Sequence, residues 1–281
     1  MTNARWRRHA RFAAIHVALA VWLFISLAPP VMLLAAALNE TAVFRSPLHL
    51  LSLRDFSLTN FAAAFNKGDF IFFLTNSLII SVAAVVITLI TCVPLAYGLT
   101  KIGGRVSRAV SFGVLTIRFV PYVVMALPMF LLFINIGLSG SRLGLLLAHL
   151  AIHIPFATWM LVGFFETVPR ELEEAGIVDG CTPWHLFWNV HVPVVRSGII
   201  ALAILAFIIS WNEYLFALFL AGSDAQPLTV GITRFLGGAE VGAEYGVISA
   251  YAVLVIAPVI VFALAANRYI VTGMTAGAVK G

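Results

Sequence analysis

The chain has 281 residues, of which 62% are hydrophobic and only 10% charged, and its net charge is +5; the mean hydropathy is +1.03. A soluble globular domain carries about 25% charged residues, so this composition excludes an ordinary soluble protein and requires lipid as part of the solvent. The basic balance gives no case for a nucleic-acid partner, because the basic residues lie in short loops beside apolar runs, where membrane topology accounts for them.

Stretches such as Phe70 to Ala96 and Ala201 to Ala221 are apolar on all sides rather than alternating, which fits helices and not the strands of a transmembrane barrel. The pattern predicts an all-α, polytopic membrane protein with six transmembrane helices, each supplying the roughly 20 apolar residues that cross a hydrocarbon core of about 30 Å. The expected spans are 12–38, 70–99, 107–134, 144–166, 199–221 and 245–270. The first is too long for a signal-peptide core and is not followed by a cleavage-type sequence, so it counts as a span. Pro94 in span two, and Pro121 and Pro128 in span three, predict kinks, because proline removes a donor and crowds the preceding turn.

Six spans place both termini on one side, and Lys and Arg decide which. Eleven basic residues (Arg5, Arg7, Arg8, Arg11, Lys101, Arg105, Arg108, Arg170, Arg196, Arg268 and Lys280) fall on the face of the termini. Five (Arg45, Arg54, Lys67, Arg142 and Arg234) fall on the other, and Arg118 lies within span three. The positive-inside rule then makes the termini cytoplasmic. A single membrane domain, 1–281, is expected, with a cytoplasmic N-terminus at 1–11 and a cytoplasmic tail at 271–281. Between them come an outer loop at 39–69, an outer turn at 135–143, a cytoplasmic connection at 167–197 and an outer loop at 222–244. The two cysteines, Cys92 in an apolar run and Cys181 in a polar loop, imply no disulfide framework.

The 167–197 connection is well specified by local rules. Val168-Pro169-Arg170-Glu171 places a proline at a first helical turn with acids behind it, which suits the positive end of a helix dipole. Asp179-Gly180 should end that short helix near Val178, since glycine accepts the positive φ of a tight reversal. Thr182-Pro183 reads as an N-cap and first helical residue, opening a second short helix to about Val190 that Pro193 is expected to stop. Two helices about a glycine turn make a knob on which Trp184, Leu186, Phe187 and Trp188 are expected to present an apolar interface. The alternative is a loop lying on the membrane surface, with Trp184 and Trp188 as interfacial anchors.

At these residues the chain resembles the permease subunits of binding-protein-dependent ABC importers. Their loop has the form E-A-A, three residues, G, nine residues, I-x-L-P, and here Glu174-Ala175-Gly176, Gly180 and Val190-His191-Val192-Pro193 stand at matching intervals. Gly176 departs from the pattern and loosens the helix by roughly 1 kcal/mol relative to Ala; Val190 and Val192 are mild changes. The match narrows to the maltose-type carbohydrate importers, in the position of the second permease subunit. Asn76-Ser77-Leu78, Trp211-Asn212-Glu213, Gln226-Pro227-Leu228-Thr229-Val230-Gly231 and the ending Thr275 to Gly281 carry that narrower match.

The resemblance implies a type I importer permease of the bacterial cytoplasmic (inner) membrane, forming half of a path for a carbohydrate or similar polar solute. It implies as partners a second permease subunit, two cytoplasmic ATPase subunits and an extracytoplasmic binding protein, with ATP and magnesium on the ATPase and no cofactor on this chain. The docking surface it implies comprises Glu174, Ala175, Gly176, Asp179, Gly180, Thr182, Pro183, Trp184, Phe187 and Pro193, with Glu174 pairing with a basic residue of the ATPase. The tail residues Ala276, Gly277 and Lys280 look like those of a permease whose tail inserts between the ATPase subunits; the other reading is a disordered chain end.

Arg118 in span three and Glu213 in span five are ionisable groups at membrane depth, costly enough to require a polar path or partner. Arg118, Trp211, Asn212 and Glu213 are therefore candidates to line the translocation path; the other reading is that they only pair and hold helices together. His149 and His153, four apart, could share a helix face, but no third metal ligand is evident. An ion-driven secondary transporter would spread charges along its spans and repeat its halves, and neither pattern is present. An integral-membrane enzyme lacks a nucleophile or zinc motif here. Lys67, Lys101 and Lys280 are the only lysines and none lies in a phosphate-binding loop, so ATP hydrolysis is assigned to another polypeptide.

Overall fold

The computed structural model describes residues 2–39, 56–67, 69–235 and 245–278, and among these every regular element is helical. In chain order they are α1 (Thr2–Ala37), α2 (Thr59–Lys67), α3 (Phe70–Ile102), α4 (Gly104–Thr116), α5 (Tyr122–Asn135) and α6 (Arg142–Phe165). Then follow α7 (Arg170–Val178), α8 (Pro183–Leu186), α9 (Val192–Trp211), α10 (Leu215–Leu220), α11 (Leu228–Gly231) and α12 (Tyr245–Ala278). Among the described residues five helices are long and apolar enough to cross a membrane, or six if the bent pair α4–α5 counts as one span.

Two compact units are present. The first combines Met1–Phe70 with Ile232–Ile256. In it α1 exposes Trp22 and Phe24, as a helix in contact with lipid can. The 39–69 segment, expected to be a loop, holds α2, which Ser57 caps by accepting from the Thr59 amide at 3.1 Å. Asn60 of α2 donates to the carbonyls of Ala37 and Asn39, closing the C-terminal end of α1. Tyr251, fully buried, packs edge-on against Phe70 and is tilted against Phe235.

The second unit, Ile71–Gly231 with Ala257–Gly281, holds two cores. One joins Cys92, Val93, Ala96 and Leu99 of α3 to Leu161 and Phe165 of α6 and Leu202 of α9. The other joins Ile80 of α3, Phe133 of α5, Leu145 and Ile152 of α6, and Phe216 and Leu220 of α10. Thus α3 and α6 contribute to both.

Three expectations change. Span three is not one kinked helix over 107–134: after the 3-10 turn Ile117–Phe119 the chain bends by 91° into α5. The cause is local, since Pro121 pushes Val120 into an extended conformation (φ −71°, ψ 124°) that no α-helix can include. The second helix of the knob is not stopped by Pro193. It continues through a π-helical turn, Phe187–His191, directly into α9, so one apolar run covers Pro183–Trp211. The wider turn is closed by the Val192 amide donating to the Phe187 carbonyl, and it carries the helix past Pro193, whose ring and missing N–H a regular α turn does not accommodate. Span five, expected over 199–221, ends instead at Trp211, and the chain restarts as α10.

Candidate functional site

The 167–197 connection folds as its sequence specifies up to Thr182. Glu171 and Glu173 occupy the first turn of α7. Gly180 closes the helix with φ +79°. The Cys181 amide donates to the Gly176 carbonyl at 2.9 Å and the Gly180 amide to the Ile177 carbonyl at 3.0 Å, the two nested bonds of a Schellman end. Asp179 is the C-cap residue before that turn, and Thr182 accepts from the His185 amide at 3.2 Å, with Pro183 beginning α8.

Gly176, the departure from the family pattern, has a structural reason. A Cβ there would collide with the Leu186 side chain, so glycine lets α7 sit directly on the start of the second helix. Leu186 and Phe187 are consequently buried, which corrects the expected four-residue apolar face. Phe187 lies 4.9 Å from the Tyr97 ring and belongs to the core of the second unit. Trp184 and Trp188 are the aromatic residues left on the surface, 66% and 49% exposed, and they pack edge-on at 5.7 Å. Beneath them a groove of about 410 Å³ is walled by Ile90, Val93 and Pro94 of α3.

The two adjacent glutamates face differently. Glu174 is exposed, as is Ala175. Glu173 turns back: its Oε2 lies 2.5 Å from Lys101 Nζ at the last turn of α3, and 3.7 Å from His191 Nε2. His191 is 3% exposed, with Nδ1 3.1 Å from the Leu186 carbonyl oxygen and Nε2 3.3 Å from Lys101 Nζ. Sequence reasoning missed this cluster, because its members stand far apart in the chain and no periodicity links them.

The candidates at membrane depth each have their own immediate partners. Arg118, in the 3-10 turn before the bend, lies over the Phe156 ring at 4.5 Å. Trp211 is 2% exposed and stacks on Phe207 at 5.5 Å, while Asn212 is exposed and donates to the Ile208 carbonyl. Glu213 caps α10: its two carboxylate oxygens accept from the Phe216 amide at 2.7 Å and the Ala217 amide at 3.0 Å. It stands where a buried helix start leaves donors unpaired and the dipole favours a negative charge. Thr229 donates to the Glu213 carbonyl at 2.7 Å.

His149 Nδ1 lies 2.6 Å from Ser210 Oγ, and the rings of His149 and His153 are 6.3 Å apart at their centroids. Among the described residues no three His, Cys, Asp or Glu side chains converge as a metal would require. A larger groove, about 690 Å³, lies between α4 and α6, with Phe112 and Trp159 as apolar walls and Arg108 and Glu166 in its lining. The backbone at Ala276 and Gly277 continues α12, so span six runs on as helix into the expected tail; Lys280 lies outside the described residues.

At the opposite end of α3, Asn76 is fully buried. Its amide donates to the carbonyls of Asp224 (3.2 Å) and Gln226 (2.9 Å), and its oxygen accepts from Arg142 Nε at 2.7 Å. Ser77 accepts from the Leu228 amide at 2.8 Å. The Asn-Ser and Gln-Pro-Leu motifs quoted from the sequence are therefore two halves of one clasp.

With this arrangement in view, the chain belongs to the family of binding-protein-dependent transport system inner membrane components, whose model matches residues 92–275. It is accordingly a multi-pass inner-membrane transport component. It is 34% identical over 223 residues to the trehalose transport system permease protein SugB of Mycobacterium tuberculosis, covering 79% of this chain and 81% of that one. It is 32% identical over 226 residues to the sulfoquinovosyl glycerol transport system permease protein SmoH of Agrobacterium fabrum, covering 80% and 79%. Its fold matches a chain of a bacterial ABC transporter involved in the import of the acidic polysaccharide alginate, with a TM-score of 0.80, 22% identity and coverage of 94% and 98%.

Proposed function

We propose that this chain is one permease subunit of an ATP-driven carbohydrate importer and that residues 167–197 dock it to a separate cytoplasmic ATPase. The observation that carries the docking reading is the knob itself. A capped pair of helices, fixed by the Gly180 turn and the Gly176–Leu186 contact, holds Glu174 and Trp184 outward on a chain without a phosphate-binding loop. Simple anchoring on the membrane surface does not call for a locked turn of that kind.

In this reading Glu174 pairs with a basic residue of the ATPase, and Ala175, Asp179, Thr182, Pro183 and Trp184 surround the contact. Phe187 and Pro193 act from beneath, one by packing and one by setting the start of α9. ATP and magnesium are held by the ATPase. A binding protein delivers solute, and closure of two ATPase subunits reorients this chain and a second permease subunit between outward and inward access.

The carbohydrate class is supported by the relatives, whose names give trehalose and sulfoquinovosyl glycerol as cargo. The open groove beside Phe112 and Trp159, with Arg108 and Glu166, suits apolar sugar faces and hydroxyls, and Arg118 and Asn212 remain candidates for the same path. The tail through Ala276, Gly277 and Lys280 is the proposed contact with the ATPase pair.

The test is co-purification of the chain with its ATPase and second permease subunit, followed by ATPase stimulation by the loaded binding protein, with trehalose, other disaccharides and amino acids each offered as load. Glu174→Lys is expected to release the ATPase, and a saccharide is expected to stimulate. Wild-type yield and hydrolysis with Glu174→Lys would remove the docking role, and stimulation by amino acids alone would remove the carbohydrate class.

A further inference from the structure

We propose that Lys101, Glu173 and His191 form a positioning latch that makes α3 the rod carrying movement of the knob to the clasp at residues 222–228. The inference rests on the docking reading above and names the span that receives the motion.

The latch joins three elements through one carboxylate, one ammonium and one buried ring. Lys101 sits in the last turn of α3 and Glu173 in the first turn of α7, the two helix ends whose dipoles favour those charges. A carbonyl oxygen only accepts, so His191 Nδ1 carries the hydrogen in its 3.1 Å contact with Leu186, leaving Nε2 to accept from Lys101. The Tyr97 ring lies under the Lys101 ammonium at 4.9 Å and meets the His191 ring edge-on at 4.9 Å. The knob is therefore tied to α3 through Glu173, while Glu174 beside it remains turned outward.

The other end of the same helix is fastened as firmly. Asn76 and Ser77 hold the 222–228 loop through three hydrogen bonds, and Arg142 fixes the Asn76 amide. Ser77 and Lys101 are 24 residues apart, about 36 Å along a helix. Between them Ile80 is packed into one core and Cys92, Val93 and Ala96, on both sides of Pro94, into the other, so the helix is held along its length. A helix fixed at both ends and packed along one side passes a displacement rather than absorbing it.

The experiment uses the chain assembled with its ATPase and second permease subunit in lipid nanodiscs, which leave both faces accessible. Cys181→Ser removes the half-exposed thiol, Cys92 is buried, and Ser223→Cys places a reporter on the exposed edge of the clasp loop. The rate of fluorescein-maleimide labelling is compared with and without ATP and vanadate. With the latch intact, ATP and vanadate should change that rate. In Lys101→Met or Glu173→Gln the change should shrink by about tenfold, within the usual range for coupling between sites, while ATPase yield and ATP hydrolysis stay as before.

Lys101→Arg should retain the change, and the double neutral variant should be as unresponsive as either single one. If the pair merely stabilised the fold, removing both charges would restore the response, and that result overturns the latch. So does a full response in Lys101→Met, or no response with the latch intact. Loss of the ATPase from the Lys101→Met complex assigns Lys101 to docking and also overturns the latch. The docking reading fails separately, if Glu174→Lys keeps the ATPase bound and active.

Discussion

The Glu213 carboxylate stands 3.7 Å from His149 Nε2 while its two oxygens accept from the amides that begin α10. A charge that looks like a pathway residue in the sequence is thus also a helix cap, and it allows span five to break at Trp211 without leaving buried donors unpaired. Glu213→Ala should lower stability by about 2–4 kcal/mol, because two buried amides lose their acceptor. Glu213→Gln, which keeps one accepting oxygen, should lose less. Thermal unfolding in detergent measures both; equal melting of Glu213→Ala and wild type would remove the cap from the account.

Gly180 separates backbone strain from crowding. An added Cβ would meet nothing within 4 Å, so a substitution there is opposed only by its φ of +79°. Asn visits that region more readily than a β-branched residue, for which the conformation costs about 1–2 kcal/mol or more. ATPase stimulation should therefore fall in the order Gly180, Gly180→Asn, Gly180→Val, with membrane insertion kept in all three. Full activity of Gly180→Val would show that the turn does not matter to coupling.

At Gly176 the opposite holds: the backbone is ordinary helix and the obstacle is Leu186. Gly176→Ala gains about 1 kcal/mol of helix propensity but must displace the Leu186 methyl. Combining it with Leu186→Ala should give a favourable coupling of roughly 0.5–1.5 kcal/mol in a double-mutant cycle followed by thermal unfolding. Additive effects would mean that α7 and α8 do not meet as closely as described.

Cys181 tests topology. With Cys92 buried, it is the thiol open to reagents, and the positive-inside rule, with eleven basic residues against five, predicts that it faces the cytoplasm. A membrane-impermeant maleimide should spare intact cells and label inside-out vesicles stripped of ATPase. Labelling of intact cells would reverse the orientation.

Much of this protein is legible from local chemistry. The helical membrane class follows from apolar runs without alternation, and the knob's Gly180 turn, Thr182 cap and Pro183 start follow from residues acting on their own neighbours within one or two turns. The family resemblance rests on the same short-range spacing, Glu174 to Gly180 to Pro193.

What only the tertiary structure decided involves partners remote in sequence. Pro193 has two lawful outcomes, a stop or a passage through a π turn, and burial of Leu186, Phe187 and His191 beneath α7 and against α3 accompanies the second. Glu173 and Glu174 are adjacent and chemically alike, and their roles divide because Lys101 and His191 stand on one side of α7. Asn76 meets Gln226 across 150 positions. A sequence fixes what each residue can do within its own turn of helix, but which of two equal carboxylates is paired depends on where distant segments pack, and that is set by the summed burial of the whole unit.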